Sequence, residues 1–493
     1  MRRIIFSIGF VWLLFCGHVR GDILQYYYPN CEKPLTLQGK VSINPGKIVS
    51  FRHAKFGKIF FGLEDVRFYK VPTTLSIAEN NLRQSQNDVE ASLEAASWAL
   101  HHGLLSEFNK AASQAWRLDP EHPTVRRLVT LKRKTKTYLP ESRERKKALR
   151  AIVKTAKNMQ CLRSKHFLLL HDCPAPEEKG RRKNHKSRAQ ERLDLLEIVY
   201  ESFLIKYCLE GRVLDIPKKR MMAVLFSDRE DYLVFSKFLG HDADNAAGYF
   251  HKLKNISVFY DQSTNEGMAM LVEVSGKLRE MKEDAIRKRS PRAKDIVRLI
   301  NSLNLIIEVY RENQDIEVVS HETAHQMADN TGLQPNHAVV PTWAAEGLAT
   351  YFESPKEAAW AGIGVVNEKR LMWYRLLARD TKHSNIDFIV SNQIFMRAGS
   401  DITTIAAYGQ AWALTHFLMD RHFDKLMEYY KLAAMRSMKE YKEIDDPKEF
   451  FKDYQADFDA IFGENKTSLT REWRDYMNSL KTDLERVTGK KER

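Results

Sequence analysis

The chain has 493 residues and carries 78 lysines and arginines against 64 aspartates and glutamates, a formal charge of +14. Such a length allows two or three domains with sizeable cores. Apolar residues at 43% and charged residues at 29% exclude a protein made mainly of membrane spans and one too polar to fold.

The first segment differs from the rest. Arg2 and Arg3 precede an apolar run of 13 residues from Ile4 to Cys16, the layout of a secretory signal peptide. The run is short for a membrane span. Val19 and Gly21 are small enough for cleavage before Asp22, so residues 1–21 are read as a signal peptide. Phe15 is a poor neighbour for lipid attachment at Cys16, and an uncleaved anchor is the lesser alternative. Cleavage removes Arg2, Arg3 and Arg20 and lowers the charge from +14 to +11. A basic exported protein could favour acidic surfaces, anionic lipids or polyanions. Cys31, Cys161, Cys173 and Cys208 remain, and their spacing is not that of a zinc ribbon. Export permits disulfides, with three complete pairings open; buried free thiols are the other reading. No later apolar stretch is long enough to span a bilayer.

Residues 22–76 read as a small β-rich module, with short strands over 36–75 around Pro45-Gly46. From Ile77 the period becomes helical. VEASLEAASWALHHGLLSEFNKAASQAWRLDPEHPTVRRLV predicts two helices and the start of a third, with alanines where helices could approach closely. Residues 77–155 are thus a helical spacer with a tetratricopeptide-like pair, although one weak unit is not a solenoid. Two basic runs follow, over 131–155 and in KGRRKNHKSR at 179–188. Neither has interleaved aromatics or a nucleic-acid module, so solvated linkers or loops are favoured over nucleic-acid binding.

SKHFLLLHD (164–172) and MMAVLFSD (221–228) read as strands, and ERLDLLEIVYESFLIKYC and REDYLVFSKFLG as helices. NISVFYD and GMAMLVEVSG, within 255–276, read as two more strands joined by a turn at Gln262-Ser263-Thr264-Asn265. This order predicts a mixed sheet with helices on it. MKEDAIRKRSPRAKD then reads as an exposed excursion leading into a helix over 296–311.

VVSHETAHQMADN carries the chemistry. On a helix over 316–331, His321 and His325 lie on one face and can aim two imidazoles at one ion. Glu322 is offset by about 100° and suits a base acting on water at the metal. Five letters alone recur by chance, so a third ligand is required. The segment PTWAAEGLATYFESP supplies Glu346 on a second helix over 342–353 that starts at Pro341. Gly347 allows close approach to the metal helix. The bland alternative makes Glu346 and Glu353 solvent-facing carboxylates. We read His321, His325 and Glu346 as ligands of Zn2+.

HETAH followed by WAAEGLATYFE resembles the gluzincin, or glutamate-zincin, metallopeptidases, whose second helix often reads W-x-x-E-G-x-A-x-Y-x-E. The ligand glutamate of that string falls on Glu346. Residues 162–475 are more closely similar to the peptidase MA-like domain of uncharacterised bacterial secreted proteins. SKHFLLLHD, VLFSDREDYLVF, the AAGYF to VFYD segment, YGQAWALTHFLMD and FDAIFGENKTSLTREWRDYM carry the likeness, with both metal helices. The resemblance implies an α+β fold. A zincin-like metallopeptidase domain over 160–475 would have a mixed sheet and a metal-binding helix, then a helical subdomain. A charged tail follows over 476–493. The loop at 174–190 and the stretch 281–295 stand out as insertions.

The resemblance also implies Tyr408 or, as its rival, His416 as the donor to a tetrahedral oxyanion, with a core role as the alternative for His416. It implies that an edge strand, expected within 255–273, pairs with an extended peptide. Asp329 could orient a metal-binding histidine, or simply lie on the surface. The expected function is therefore peptide-bond hydrolysis in the periplasm, cell envelope or outside the cell, on a peptide or protein substrate. The alternative is a non-catalytic scaffold on a gluzincin fold that meets an envelope partner through its N-terminal modules.

Overall fold

The computed structural model describes residues 20–27, 35–53, 55–155, 159–175, 186–289, 293–356, 358–436 and 447–489. Most of the expected signal peptide (1–19), Cys31, residues 176–185 of the basic loop, residues 290–292 of the charged stretch and the end of the charged tail (490–493) lie outside them. The chain forms two compact units, Met1–Asn80 and Asn81–Arg493.

The first unit is an antiparallel sheet of β1 (Arg20–Tyr26), β2 (Leu35–Asn44), β3 (Ile48–His53), β4 (Gly57–Gly62) and β5 (Val66–Pro72). Its order is β4-β3-β2-β1-β5. Gly46 and Lys47 take φ of 83° and 59° to turn β2 into β3, where Pro45-Gly46 predicts a turn. Leu24, Leu37, Val49, Phe51 and Phe61 form its core. β1 begins two residues before the expected cleavage point and pairs Asp22 with Lys70 and Gly39.

A helix, α1 (Thr74–Gln84), leads out of this sheet into the second unit. There α2 (Val89–His101) and α3 (Leu105–Leu118) pack through Ala95, Ala96, Ala99, Ala111 and Ala115, all buried. Asp88 caps α2 and Pro123 opens α4 (Pro123–Thr135), which is followed by α5 (Arg143–Thr155). A mixed sheet follows: β6 (Gln160–Arg163), β7 (Phe167–His171), α6 (Arg188–Leu209), β8 (Met221–Phe226), α7 (Arg229–Phe238), β9 (Gly248–His251) and β10 (Ile256–Tyr260). Strand order is β6-β7-β8-β10-β9, with β7, β8 and β10 parallel and both edges antiparallel.

The central strands are buried on both faces, so they read as unbroken apolar runs such as MMAVLF. Leu168, Leu170, Met222, Val224, Ile256 and Val258 point to one core, with Tyr232 and Phe235 of α7. Phe167, Leu169, Met221, Ala223, Leu225 and Phe259 point to the other, larger core. That core also holds apolar faces of α2, α3, α4 and α6. The helices read as a spacer therefore share a compact unit and a hydrophobic core with the mixed sheet.

Two expectations change downstream. GMAMLVEVSG is not a strand; it opens α8 (Glu266–Arg287), whose first turn is capped by the Asn265 side chain on the Met268 N–H at 2.7 Å. The helix expected over 296–311 and the helix expected over 316–331 are one helix, α9 (Ala293–Asn330). Its 38 residues span about 57 Å at 1.5 Å each. The N-terminal part of α9 packs along α8, and its C-terminal part lies on β9 and β10.

α10 (Thr342–Phe352) follows, then the two-residue pair β11 (Pro355–Lys356) and β12 (Ala359–Trp360). The elements of the remaining described residues are helices: α11 (Glu368–Leu377), α12 (Ile386–Val390), α13 (Gln393–Met396), α14 (Asp401–Arg421), α15 (Phe423–Met435) and three closing helices from Pro447 to Thr488. Among the described residues Cys161, Cys173 and Cys208 are free thiols, and no helix is long and apolar enough to cross a membrane.

Candidate metal centre

α9 is fixed over the sheet before any ion is considered. Gln326 is fully buried and donates to the Met222 carbonyl at 3.0 Å, while Ser257 of β10 donates to its side-chain oxygen at 3.2 Å. One turn later Asn330 exchanges amide hydrogen bonds with Asn255 at 2.8 and 2.9 Å. Upstream, Arg192 of α6 meets Glu312 at 3.0 Å and Asp315 at 2.8 Å in the interior. Arg188 joins the same pair. The last arginine of the basic run is therefore an anchor of α9 and not part of a solvated loop. Together these contacts hold the helix against sliding and rotation, which sets where its histidines point.

α10 starts at Pro341, as expected, and Asn392 in a left-handed conformation (φ 60°) accepts its Trp343 N–H at 3.2 Å. Gly347 permits a close helix crossing, but against α14 and not the metal helix. A Cβ at this position would lie 2.8 Å from the Ala411 carbonyl and collide with Thr415. That crossing sets Glu346 beside the two histidines.

The Nε2 atoms of His321 and His325 are 3.2 Å apart. Glu346 Oε2 is 3.1 Å from the first and 3.5 Å from the second. Among the described residues this is the one group of three that could hold a metal ion. The edge of a tetrahedron with zinc bonds of about 2.0–2.1 Å is about 3.3 Å, so the donor set fits zinc in spacing and in chemistry. The fit extends to charge. Glu322 is buried and Glu346 half-buried here, and a dication would offset two such carboxylates.

Electrostatics follows the geometry. Burial works against charge on Glu346, yet His325 and His321 outweigh it and hold its carboxyl well below the usual range. Burial raises the pKa of Glu322, which lies against the N–H of Phe250 in β9. A raised carboxyl suits a group that must take up and release a proton. Tyr408, from α14, has its ring centroid 6.2 Å from that of His321. Its hydroxyl bonds to Glu346, and that carboxylate, with burial, raises its pKa. The phenol therefore stays protonated and able to donate.

His416 takes its core alternative, and neither it nor Asp329 touches the two histidines of the triangle. His416 does not reach the cluster: its ring nitrogens engage the Tyr476 hydroxyl at 2.7 Å and the Gly364 carbonyl at 3.0 Å in the helical core. Asp329 faces Lys252 and the Asn336 N–H. The carboxylate that holds a histidine is Glu353, not Asp329. It is 1% exposed, and its Oε2 lies 3.1 Å from His321 Nδ1. This fixes the Nδ1–H tautomer and leaves Nε2 free to ligate. Arg370 of α11 forks onto Glu353 at 3.0 and 2.9 Å. The spacing of Glu353 seven residues after Glu346 was the available signal, since both fall on one helix face. Arg370 has none: it stands beside Lys369 in a charged string, and only the tertiary fold separates them.

The edge of the sheet is also displaced. Residues 256–260 form an inner strand; the edge beside the cluster is β9. Gly248 lets β9 lie close to α9, because a Cβ there would come within 2.6 Å of Val318.

Residues 315–439 match the model of a family described as a protein of unknown function (DUF1570). The matched stretch holds all seven residues of the cluster and its surroundings: His321, Glu322, His325, Glu346, Glu353, Arg370 and Tyr408. No curated protein and no solved structure matches the chain.

Proposed function

We propose that the chain is an exported zinc metallopeptidase of the gluzincin kind. The observation that carries this reading is the His321–His325–Glu346 triangle, whose edges of 3.1 to 3.5 Å suit one zinc ion, with Glu322 beside it. A zinc ion held there supplies Lewis-acid polarisation of a carbonyl and makes water acidic enough to attack near neutral pH. Glu322 takes the proton of the attacking water and returns it to the leaving amine. Tyr408 donates its hydroxyl hydrogen to the developing oxyanion. Glu353 keeps His321 in the ligating tautomer. The edge strand β9 orients an extended peptide beside Glu322. Export rests on Arg2, Arg3 and the apolar run after them.

The test uses the full chain without its signal segment. Bound zinc is measured by mass spectrometry and turnover on fluorescein-labelled casein, for the native sequence and for Glu322→Gln. One zinc per chain, with casein hydrolysis that Glu322→Gln lowers at least 100-fold while zinc stays bound, is the expected result. Absence of zinc after equilibration with the metal sinks the reading. Bound zinc with no hydrolysis of casein or a broad peptide library favours the scaffold account.

A further inference from the structure

We propose that Arg370 is a positioning residue that couples the metal ligand His321 to Tyr408. The inference rests on the metallopeptidase reading above. One planar guanidinium serves both Glu353 and Tyr408, and its Nη2 also lies 3.4 Å from Glu317 Oε1. Its edge grips both oxygens of Glu353, with Nε at 3.0 Å and Nη2 at 2.9 Å. The oxygen that receives Nη2 is the same Oε2 that meets His321 Nδ1 at 3.1 Å. The guanidinium also lies over the Tyr408 ring, with Cζ 5.3 Å from the centroid. Glu353 ends α10 and Tyr408 stands on α14, so the guanidinium ties groups on two separate helices.

The surroundings leave Arg370 little freedom. Asn367 accepts the Arg370 N–H at 3.2 Å and donates to the Glu353 carbonyl at 2.8 Å, linking the two backbones. Gly409 lets α11 settle on α14: a Cβ there would be 2.8 Å from Trp373 Cβ and 3.3 Å from the Arg370 carbonyl. Arg370 is 6% exposed, so water does little to dilute its contacts. Lysine would keep the charge but offer neither fork nor flat face. The arrangement thus makes a geometric demand that a merely neutralising cation does not.

Two double-mutant cycles test it. In the first, zinc affinity is measured by chelator competition for the native chain, Arg370→Lys, Glu353→Gln and the double variant. Each single change should weaken zinc 10- to 100-fold, and the double should be no weaker than the worse single. Unchanged affinity in Arg370→Lys, or losses that multiply, overturns the link to His321. In the second, kcat and KM on labelled casein are measured for Arg370→Lys, Tyr408→Phe and the pair. Arg370→Lys should lower kcat at unchanged KM, and most of that loss should vanish in the Tyr408→Phe background. An equal loss in both backgrounds overturns the link to Tyr408. Arg370→Gln serves as the second variant, and melting of the metal-free proteins separates misfolding from mispositioning. A native chain that binds no zinc removes the metallopeptidase reading and this inference together. Normal zinc binding with multiplying losses removes the inference alone.

Discussion

Glu353 shows how a residue can look peripheral and lie at the centre of a site. It sits just past the last turn of α10, yet it is buried between an arginine fork and an imidazole. Glu353→Ala strips His321 of its orienting partner and leaves Arg370 without its fork. Zinc affinity should fall about 10- to 100-fold by chelator competition, with Glu322→Gln leaving it near native. Tyr408→Phe removes one hydroxyl aimed at the cluster. Its expected signature is a kcat lower by about 10²–10³ with little change in KM, the pattern of a contact made in the transition state. His416→Gln should leave zinc affinity unchanged, because both ring nitrogens are spent in the helical core. At this scale the sequence is a good guide where chemistry is local. His321, Glu322 and His325 lie within about one turn of one helix, and Glu346 lies on the next apolar helix. It is a poor guide where partners come from remote elements. Nothing in EKRLMWYRLL distinguishes Arg370 from Lys369, whose ammonium is half exposed on Glu317.

The elements around the cluster are held by small residues and polar anchors. Gly347→Ala gains about 1 kcal/mol of helix propensity and loses more, because its methyl meets Thr415 and the Ala411 carbonyl of α14. A net loss of about 1–3 kcal/mol in denaturant unfolding is expected, with weaker zinc binding, since the same crossing places Glu346. Zinc binding with native affinity in this variant would show that the crossing does not position the ligand. GMAMLVEVSG reads as a strand yet folds as helix for an identifiable reason. A short apolar run fits a buried strand and a buried helix turn equally, and the deciding features lie outside it. They are the Asn265 cap and a helix that continues to Arg287. The central strands were legible because two covered faces leave no polar alternation to confuse with helix. The continuity of α9 was not, because the polar stretch RENQD at 311–315 interrupts the apolar pattern between the two expected helices.

At the scale of the whole molecule, helices of the second unit are tied together by buried charge. His101 of α2 lies 3.5 Å from the Lys206 ammonium of α6. Burial, and then Lys206, lower its pKa from 6.5 to about 3. The unfolded chain therefore binds a proton here below pH 6.5, and the folded chain does not until far lower. The site contributes nothing above pH 6.5, and stability falls progressively as pH drops from 6.5 toward 3. By pH 4.5 the loss from this site is about 2–3 kcal/mol, read as a lower denaturant midpoint. His101→Gln should shrink the drop between pH 7 and pH 4.5. The same packing of α2 and α4 on α6 means that cutting the chain near residue 155 exposes an apolar face. The composition change there marks a shift in surface chemistry and not the edge of a core.

On the metallopeptidase reading, the edge strand β9 would act as a short ruler. It has four residues, and the Phe250 N–H already points to Glu322, so Gly248 and Phe250 carry the outward backbone groups. A chain laid along it is measured over about two residues by main-chain pairing. Longer peptides gain no further rungs on this edge. Their kcat/KM should level off once that reach is filled, and preference should follow the side chains nearest Glu322.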